Sequence, residues 1–111
     1  MSLAYDRDRL VELFGTDAAT LAAVEREFFD TARDAAREIA GTDDLDTIAR
    51  AAHRLKGASG MIGAATLREI AEAVERAAKA DDLAYVRQIH DRFCHEVLRV
   101  ADQAGLQAEP I

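Results

Sequence analysis

Several residue types are scarce in this chain of 111 residues, and each scarcity excludes a class of protein. Proline occurs once, tryptophan is absent, and aromatic residues make up 5 % of the chain, while many of its hydrophobic residues are alanines. This composition favours closely packed helices over strands. Because Cys94 is the only cysteine, no disulfide can form within the chain, and we expect a reducing, cytoplasmic setting.

Long apolar runs and an excess of basic residues are missing as well. No segment approaches the roughly 20 apolar residues that cross a bilayer, and there is no charged-then-apolar leader, so we expect no membrane attachment. The 14 basic and 21 acidic residues leave a formal net charge of −7. Nucleic acid is therefore a poor candidate partner, because binding to a phosphate backbone needs a basic face.

One long segment of the chain lacks acidic residues altogether. From Thr47 to Arg68 there is no aspartate or glutamate in 22 consecutive positions, and Arg50, Arg54 and Lys56 lie within this segment. The sequence therefore predicts a locally positive strip in an otherwise acidic protein, suited to a phosphate group or to an acidic partner.

The hydrophobic pattern predicts an all-α protein with five helices joined by short connections. The helices are expected to begin at about Asp6, Asp17, Leu45, Thr66 and Asp81, and the first three to end near residues 14, 40 and 63. The run Thr66-Leu67-Arg68-Glu69 has the spacing of a capping box, which favours a helix start at Thr66. The four longer helices predict an antiparallel four-helix bundle, and the short N-terminal helix would cap one end. A single domain is expected over residues 1–111, with its core at about 5–104 and a frayed tail at 105–111.

The third predicted helix carries a histidine, His53, opposite its apolar stripe. At 100° per residue, Leu55 and Ile62 fall about 180–200° away from His53, so the imidazole is expected to point into solvent. The surrounding surface consists of small residues with cations at its margins: Ala49, Gly57 and Gly60, then Arg50, Arg54 and Lys56. This arrangement predicts a docking platform for a reactive histidine rather than a buried site.

The residues around this histidine resemble a known family. The run His53-x-Leu55-Lys56-Gly57-x-Ser59-x-x-x-Gly63-Ala64 resembles the histidine phosphotransfer (Hpt) domains of multistep two-component phosphorelays. Matching flanks stand on both sides of it: Leu13-Phe14-Gly15 before the run, and Leu67, Ile70 and Val74-Glu75 after it. The resemblance spans about residues 5–104. The chain is less similar to the related amino-terminal domain of chemotaxis kinases, whose motif differs after the lysine–glycine pair.

The resemblance implies a helical bundle that accepts a phosphoryl group on His53 and returns it to an aspartate of a receiver domain. Its partners would be response-regulator receivers and a hybrid sensor kinase, and the receiver would hold the Mg²⁺. The chain would then be a phosphocarrier without a cofactor or ATP site of its own, and not an enzyme. An exposed imidazole is largely neutral near pH 7, so its free ring nitrogen can attack phosphorus without a general base. The reaction otherwise needs mainly positioning and charge stabilisation.

The residues next to His53 have predicted supporting roles. Lys56 can reach the phosphoryl oxygens with its ammonium group, although an ordinary solvated lysine is the alternative. Gly57 costs about 1 kcal/mol in a helix interior relative to alanine, so its presence predicts space for a docking partner. Gly60 has the same interpretation, or it loosens the helix end. The predicted docking surface is completed by Ala49, Arg50 and Arg54.

Four further residues, His90, Cys94, His95 and Ser59, are expected to carry no site, and two other functions stay open. His90 and Cys94 stand four positions apart, as two metal ligands can, but two ligands do not make a site, so we expect no metal. We expect His90 to be partly buried, His95 to be exposed, and Ser59 to pack inward or to bond a backbone carbonyl. The alternatives are an adaptor that binds a receiver or kinase without being phosphorylated, and a metal-binding or self-associating bundle. Adaptors of that kind usually lack the histidine, and the second alternative does not explain the glycine at position 57. We expect the protein to be a monomer.

Overall fold

The computed structural model describes residues 3–107, and every regular element in that range is a helix. The six helices are α1 (Arg7–Phe14), α2 (Ala18–Ala40), α3 (Leu45–Met61), α4 (Ala65–Lys79), α5 (Leu83–Gln88) and α6 (His90–Ala104). The predicted all-α class is therefore confirmed.

Contacts between the four longest helices form a closed ring. Helix α3 packs against α2 and α4, and α6 packs against the same two helices. Helix α1 contacts α2, while α5 contacts α4 and α6. The described residues extend over 43 × 25 × 25 Å, the shape of a short bundle. The antiparallel order of neighbouring helices stays a prediction from their short connections.

The core of the bundle is aliphatic and rich in alanine. Phe93 and Leu55 are among the largest side chains that are completely buried. Ala51 and Ala52 on α3 and Ala71 on α4 are also completely buried, and small side chains of this kind let packed helices approach closely. The outward face of α3 is therefore held at short range from α4, which brings side chains of the two helices together.

The segment before α1 is bound to three distant parts of the chain. Tyr5 donates its amide hydrogen to the Gln103 side chain at 3.3 Å and accepts a hydrogen bond from it at 3.0 Å. The Tyr5 hydroxyl donates to the buried Glu25 carboxylate. The amide of Asp6 donates to the carbonyl of Ile62 at 3.1 Å. These bonds hold the N-terminal segment against the end of α6, against α2 and against the α3–α4 connection.

The predicted capping box at Thr66 is wrong, because α4 begins one residue earlier. Its N-cap position is Ala64, which offers no capping side chain. The chain leaves α3 through Gly63, whose φ is +71°, and the Ala64 amide donates back to the Ser59 carbonyl at 2.9 Å. This turn leads directly into α4. A side chain at Gly63 would also place Cβ 2.7 Å from Cβ of Asp6, so glycine is required there.

The last predicted helix is interrupted. Ile89 has non-helical torsion angles (φ −93°, ψ 2°) and separates α5 from α6, although the pattern predicted one continuous helix. The tail predicted to fray from residue 105 instead begins with a closed turn. Gly105 is left-handed at φ 72°, and the Leu106 amide donates to the Ala101 carbonyl at 2.9 Å. Residues 108–111 of that predicted tail lie outside the described residues.

Candidate functional site

His53 projects from the outer face of α3, as the helical pattern predicts. Its side chain is 68 % exposed. The residues two positions to either side, Ala51 and Leu55, are completely buried. One face of α3 therefore packs into the core while the face that carries His53 lies in solvent, so the imidazole is accessible to a large partner.

A buried carboxylate, which the sequence analysis had not assigned to the site, contacts this imidazole. Glu75 on α4 accepts from His53, with Nδ1 and Oε2 2.8 Å apart, and its side chain is only 6 % exposed. Because an ionised carboxylate can only accept, Nδ1 carries the proton in this contact and Nε2 keeps the lone pair. The available signal was a charged residue four positions after Ala71, within the apolar stripe of α4.

Two lysines share the same carboxylate. Lys56 Nζ lies 3.1 Å from Oε1 of Glu75, and Lys79 Nζ lies 3.2 Å from Oε2. Burial alone raises the pKa of the Glu75 carboxyl, but the hydrogen bonds from the two lysines and the histidine outweigh burial and lower the pKa to about 2. The ammonium of Lys56, predicted to be available to a phosphoryl group, is therefore already paired in the unphosphorylated protein.

An open groove of about 470 Å³ lies beside the imidazole. We call it the His53 groove, and the residues that line it are Ala49, Arg50, His53, Arg54, Glu75 and Lys79. It brings together four residues predicted from the sequence and two that were missed. The predicted positive strip is only partly positive in space, because neighbouring helices contribute acids to it: Glu75 from α4, and Glu38 from α2, which accepts from Arg54 at 3.0 Å.

The two predicted docking glycines have different surroundings. A Cβ atom added to Gly57 would meet no atom within 4 Å, so the surface one turn beyond His53 is open. A Cβ added to Gly60 would lie 3.4 Å from Nε of Arg68, whose side chain therefore runs alongside this position. Gly57 fits the predicted vacancy for a partner, whereas the space beside Gly60 is partly occupied.

The remaining candidate residues lie away from the His53 groove. Ser59 is completely buried, and its hydroxyl has no hydrogen-bond partner among the described residues, so it packs inward. His90 is half-buried, with Nε2 3.2 Å from Sγ of Cys94, and burial raises the pKa of that thiol. His95 is exposed. Within residues 3–107 there is no group of three histidine, cysteine or acidic side chains that could hold a metal ion.

Three comparisons with known proteins, together with the helix lengths, indicate which family the chain belongs to. None of the helices in the described range has the length and apolarity needed to cross a membrane. No curated protein and no solved structure matches the chain significantly. A family model described as "Hpt domain" matches residues 9–105, which is most of the chain. The chain therefore belongs to the Hpt domain family, the helical bundles whose role is histidine phosphotransfer in phosphorelays.

Proposed function

We propose that His53 accepts a phosphoryl group from the aspartyl phosphate of one receiver domain and passes it to an aspartate of another. The observation that carries this proposal is the contact between Nδ1 of His53 and the buried Glu75 carboxylate at 2.8 Å, in a side chain that is 68 % exposed. This contact orients the ring and leaves Nε2 as the nucleophile on the solvent side.

The transfer step then needs no further reactant. The Nε2 lone pair attacks phosphorus, the N–P bond forms, and the acyl P–O bond of the receiver breaks to release its aspartate as a carboxylate. The proton on Nδ1 stays in place, so the ring becomes positively charged and Glu75 stabilises that charge. In the reverse direction, the protonated ring is a good leaving group, which keeps the transfer reversible. Mg²⁺ is expected on the receiver, and this chain supplies no metal.

The surface around the histidine supports docking by a receiver. Arg50 and Arg54 line the His53 groove, and the open surface at Gly57 leaves space next to the nucleophile. Ala49 adds a small side chain to the same groove. We further propose that Lys56 stabilises the phosphoryl group, and that the chain acts in the cytoplasm as a monomeric phosphocarrier without using ATP itself. Gly60 remains a weaker docking candidate because of the Arg68 side chain beside it.

A labelling experiment tests the phosphoacceptor directly. The parent protein, His53→Gln and the matched control His95→Gln are incubated with phosphoramidate, a small donor, and with a phosphorylated receiver. We expect an acid-labile, base-stable label on the parent and on His95→Gln, and none on His53→Gln. His53→Gln should keep its fold, because an exposed side chain contributes within about ±0.5 kcal/mol to stability. Label that persists on His53→Gln would place the acceptor at another histidine, and an unlabelled parent would favour the adaptor.

A further inference from the structure

One cation in the His53 groove has no part in the function proposed so far. Lys79 on α4 contacts Oε2 of Glu75 at 3.2 Å, and this oxygen also accepts from Nδ1 of His53 at 2.8 Å. Nζ of Lys79 therefore lies no farther from Nδ1 than the sum of these two distances, 6.0 Å. An ammonium group on a flexible four-carbon side chain stands next to the reacting ring.

The two lysines on Glu75 differ in accessibility. The side chain of Lys56 is 27 % exposed, bonds the other oxygen of Glu75 and is not among the residues that line the His53 groove. The side chain of Lys79 is 67 % exposed and lines the groove together with His53. The Lys79 ammonium is therefore better placed than that of Lys56 to contact a negatively charged group that arrives from solvent.

Resting on the phosphoacceptor role proposed for His53, we propose that Lys79 is a phosphoryl-binding residue whose ammonium moves from Glu75 to the phosphoryl oxygens when the N–P bond forms. The exchange leaves no charge without a partner. Before transfer, Glu75 is paired with two lysines and a neutral imidazole. After transfer, it retains Lys56 and gains a positively charged imidazole, while Lys79 faces a phosphoryl group that carries most of two negative charges.

The test compares Lys79→Ala with Arg76→Ala in the full chain. Arg76→Ala is a matched control because it removes one positive charge from the same helix. The Arg76 side chain is 79 % exposed and pairs with Glu72 instead of Glu75. With phosphoramidate as donor, we expect phosphorylation of His53 to be about 5- to 10-fold slower in Lys79→Ala and within about twofold of the parent in Arg76→Ala. Lys79→Arg should recover most of the rate, because it restores the positive charge.

A titration by ³¹P NMR separates a direct contact from an effect on folding. An ammonium next to the phosphoryl group favours its dianion, so the second pKa of phosphohistidine should rise by about 0.5 in Lys79→Ala and stay unchanged in Arg76→Ala. Equal rates and equal titration curves for these two variants would overturn the role of Lys79 while leaving His53 as the acceptor. Failure of the proposed function has a different signature, because the parent would then carry no label on His53. Should Lys79→Ala unfold, Lys79→Gln is measured in the same way, and parental values there also contradict the inference.

Discussion

The two flanks of His53 offer different things to an incoming phosphoryl group. On the flank toward α4, the buried Glu75 carboxylate is bonded by Lys56, by Lys79 and by the histidine itself. On the flank along α3, a side chain at Gly57 would meet nothing within 4 Å. The first flank orients the ring and stabilises the positive charge that the ring gains on phosphorylation, whereas the second leaves space for a partner protein. The groups for chemistry and the space for docking thus lie on separate sides of His53. Variants on the two sides should therefore differ in how they affect phosphorylation by a small donor and by a receiver.

The largest effect is expected from Glu75→Ala, which removes the acceptor for Nδ1 and the negative charge that stabilises the phosphorylated ring. Phosphorylation of His53 should slow by about 100-fold, a loss typical of a carboxylate that orients a reacting histidine. Because the defect lies in the chemistry, it should be similar with phosphoramidate and with a receiver, measured as initial rates of label incorporation.

Glu72→Ala is the matched control for this variant, since Glu72 lies on the same helix and bonds Arg76 at 3.1 Å, away from the imidazole. It should keep the parental rate. Glu75→Gln should fall between the two, because its amide oxygen can still accept from Nδ1 of His53 but carries no charge. A Glu75→Ala protein that is as fast as the parent with both donors would show that the ring works without its carboxylate.

Gly57→Gln tests the open flank, where helix propensity and docking predict opposite signs. The substitution should stabilise an exposed helix interior by up to about 0.5–1 kcal/mol, so the melting temperature should be unchanged or higher. The new side chain would lie about 40° from His53 around the helix axis, in the space that a receiver needs. Transfer from a receiver should drop by at least about tenfold, while phosphoramidate should be much less affected.

Gly57→Ala is the graded control, since it gains most of the helix propensity with the smallest added side chain. Parental transfer from a receiver to Gly57→Gln would mean that this surface is not a docking vacancy. An unfolded Gly57→Gln protein would mean that the position is packed, contrary to the open surroundings of its Cβ.

The Glu75 flank should also respond to acid, because its carboxylate is ionised and paired. The pKa of Glu75 is lowered from 4.5 to about 2 in the folded protein, so its ionised form stabilises the fold above pH 4.5. We expect the parent to be more stable than Glu75→Gln at pH 7 by about 1 kcal/mol, a value kept small because Lys79 is solvent-exposed. Chemical denaturation should show this difference shrinking as the pH falls from 4.5 to about 2. A difference that is constant over that range would contradict the ion-pair origin.

The sequence could predict the parts of this site that depend on a single helix. The exposure of His53 follows from the apolar stripe of α3 alone, because Leu55 is committed to the core. The freedom at Gly57 follows from the same helix. The family resemblance rested on local spacing for the same reason, and the match over residues 9–105 confirms it.

The parts that sequence reasoning missed depend on how two helices pack. Glu75 is 22 positions from His53, and only the packing of α3 against α4 brings their side chains to 2.8 Å. The false capping box has a similar cause. The turn at Gly63 binds Ala64 back to Ser59, so α4 begins before Thr66 can cap it. Helical periodicity records which face of a helix is buried, but not which residue of a neighbouring helix lies opposite.

The smallest effect is expected from Lys56→Ala, because Lys56 is the less accessible of the two lysines on Glu75. Its ammonium lies on Oε1, the oxygen that does not contact His53. Removing it should slow phosphorylation by about threefold and shorten the lifetime of phosphohistidine by a similar factor, since charge stabilisation weakens while the ring stays oriented. Decay of the label in purified protein measures the lifetime, with Lys56→Arg as the charge-preserving control. Unchanged rate and lifetime would reduce Lys56 to a structural partner of Glu75. A loss larger than that of Lys79→Ala would instead make Lys56 the principal phosphoryl-binding residue. Its position three residues after His53 on the same helix would then matter more than exposure to the His53 groove.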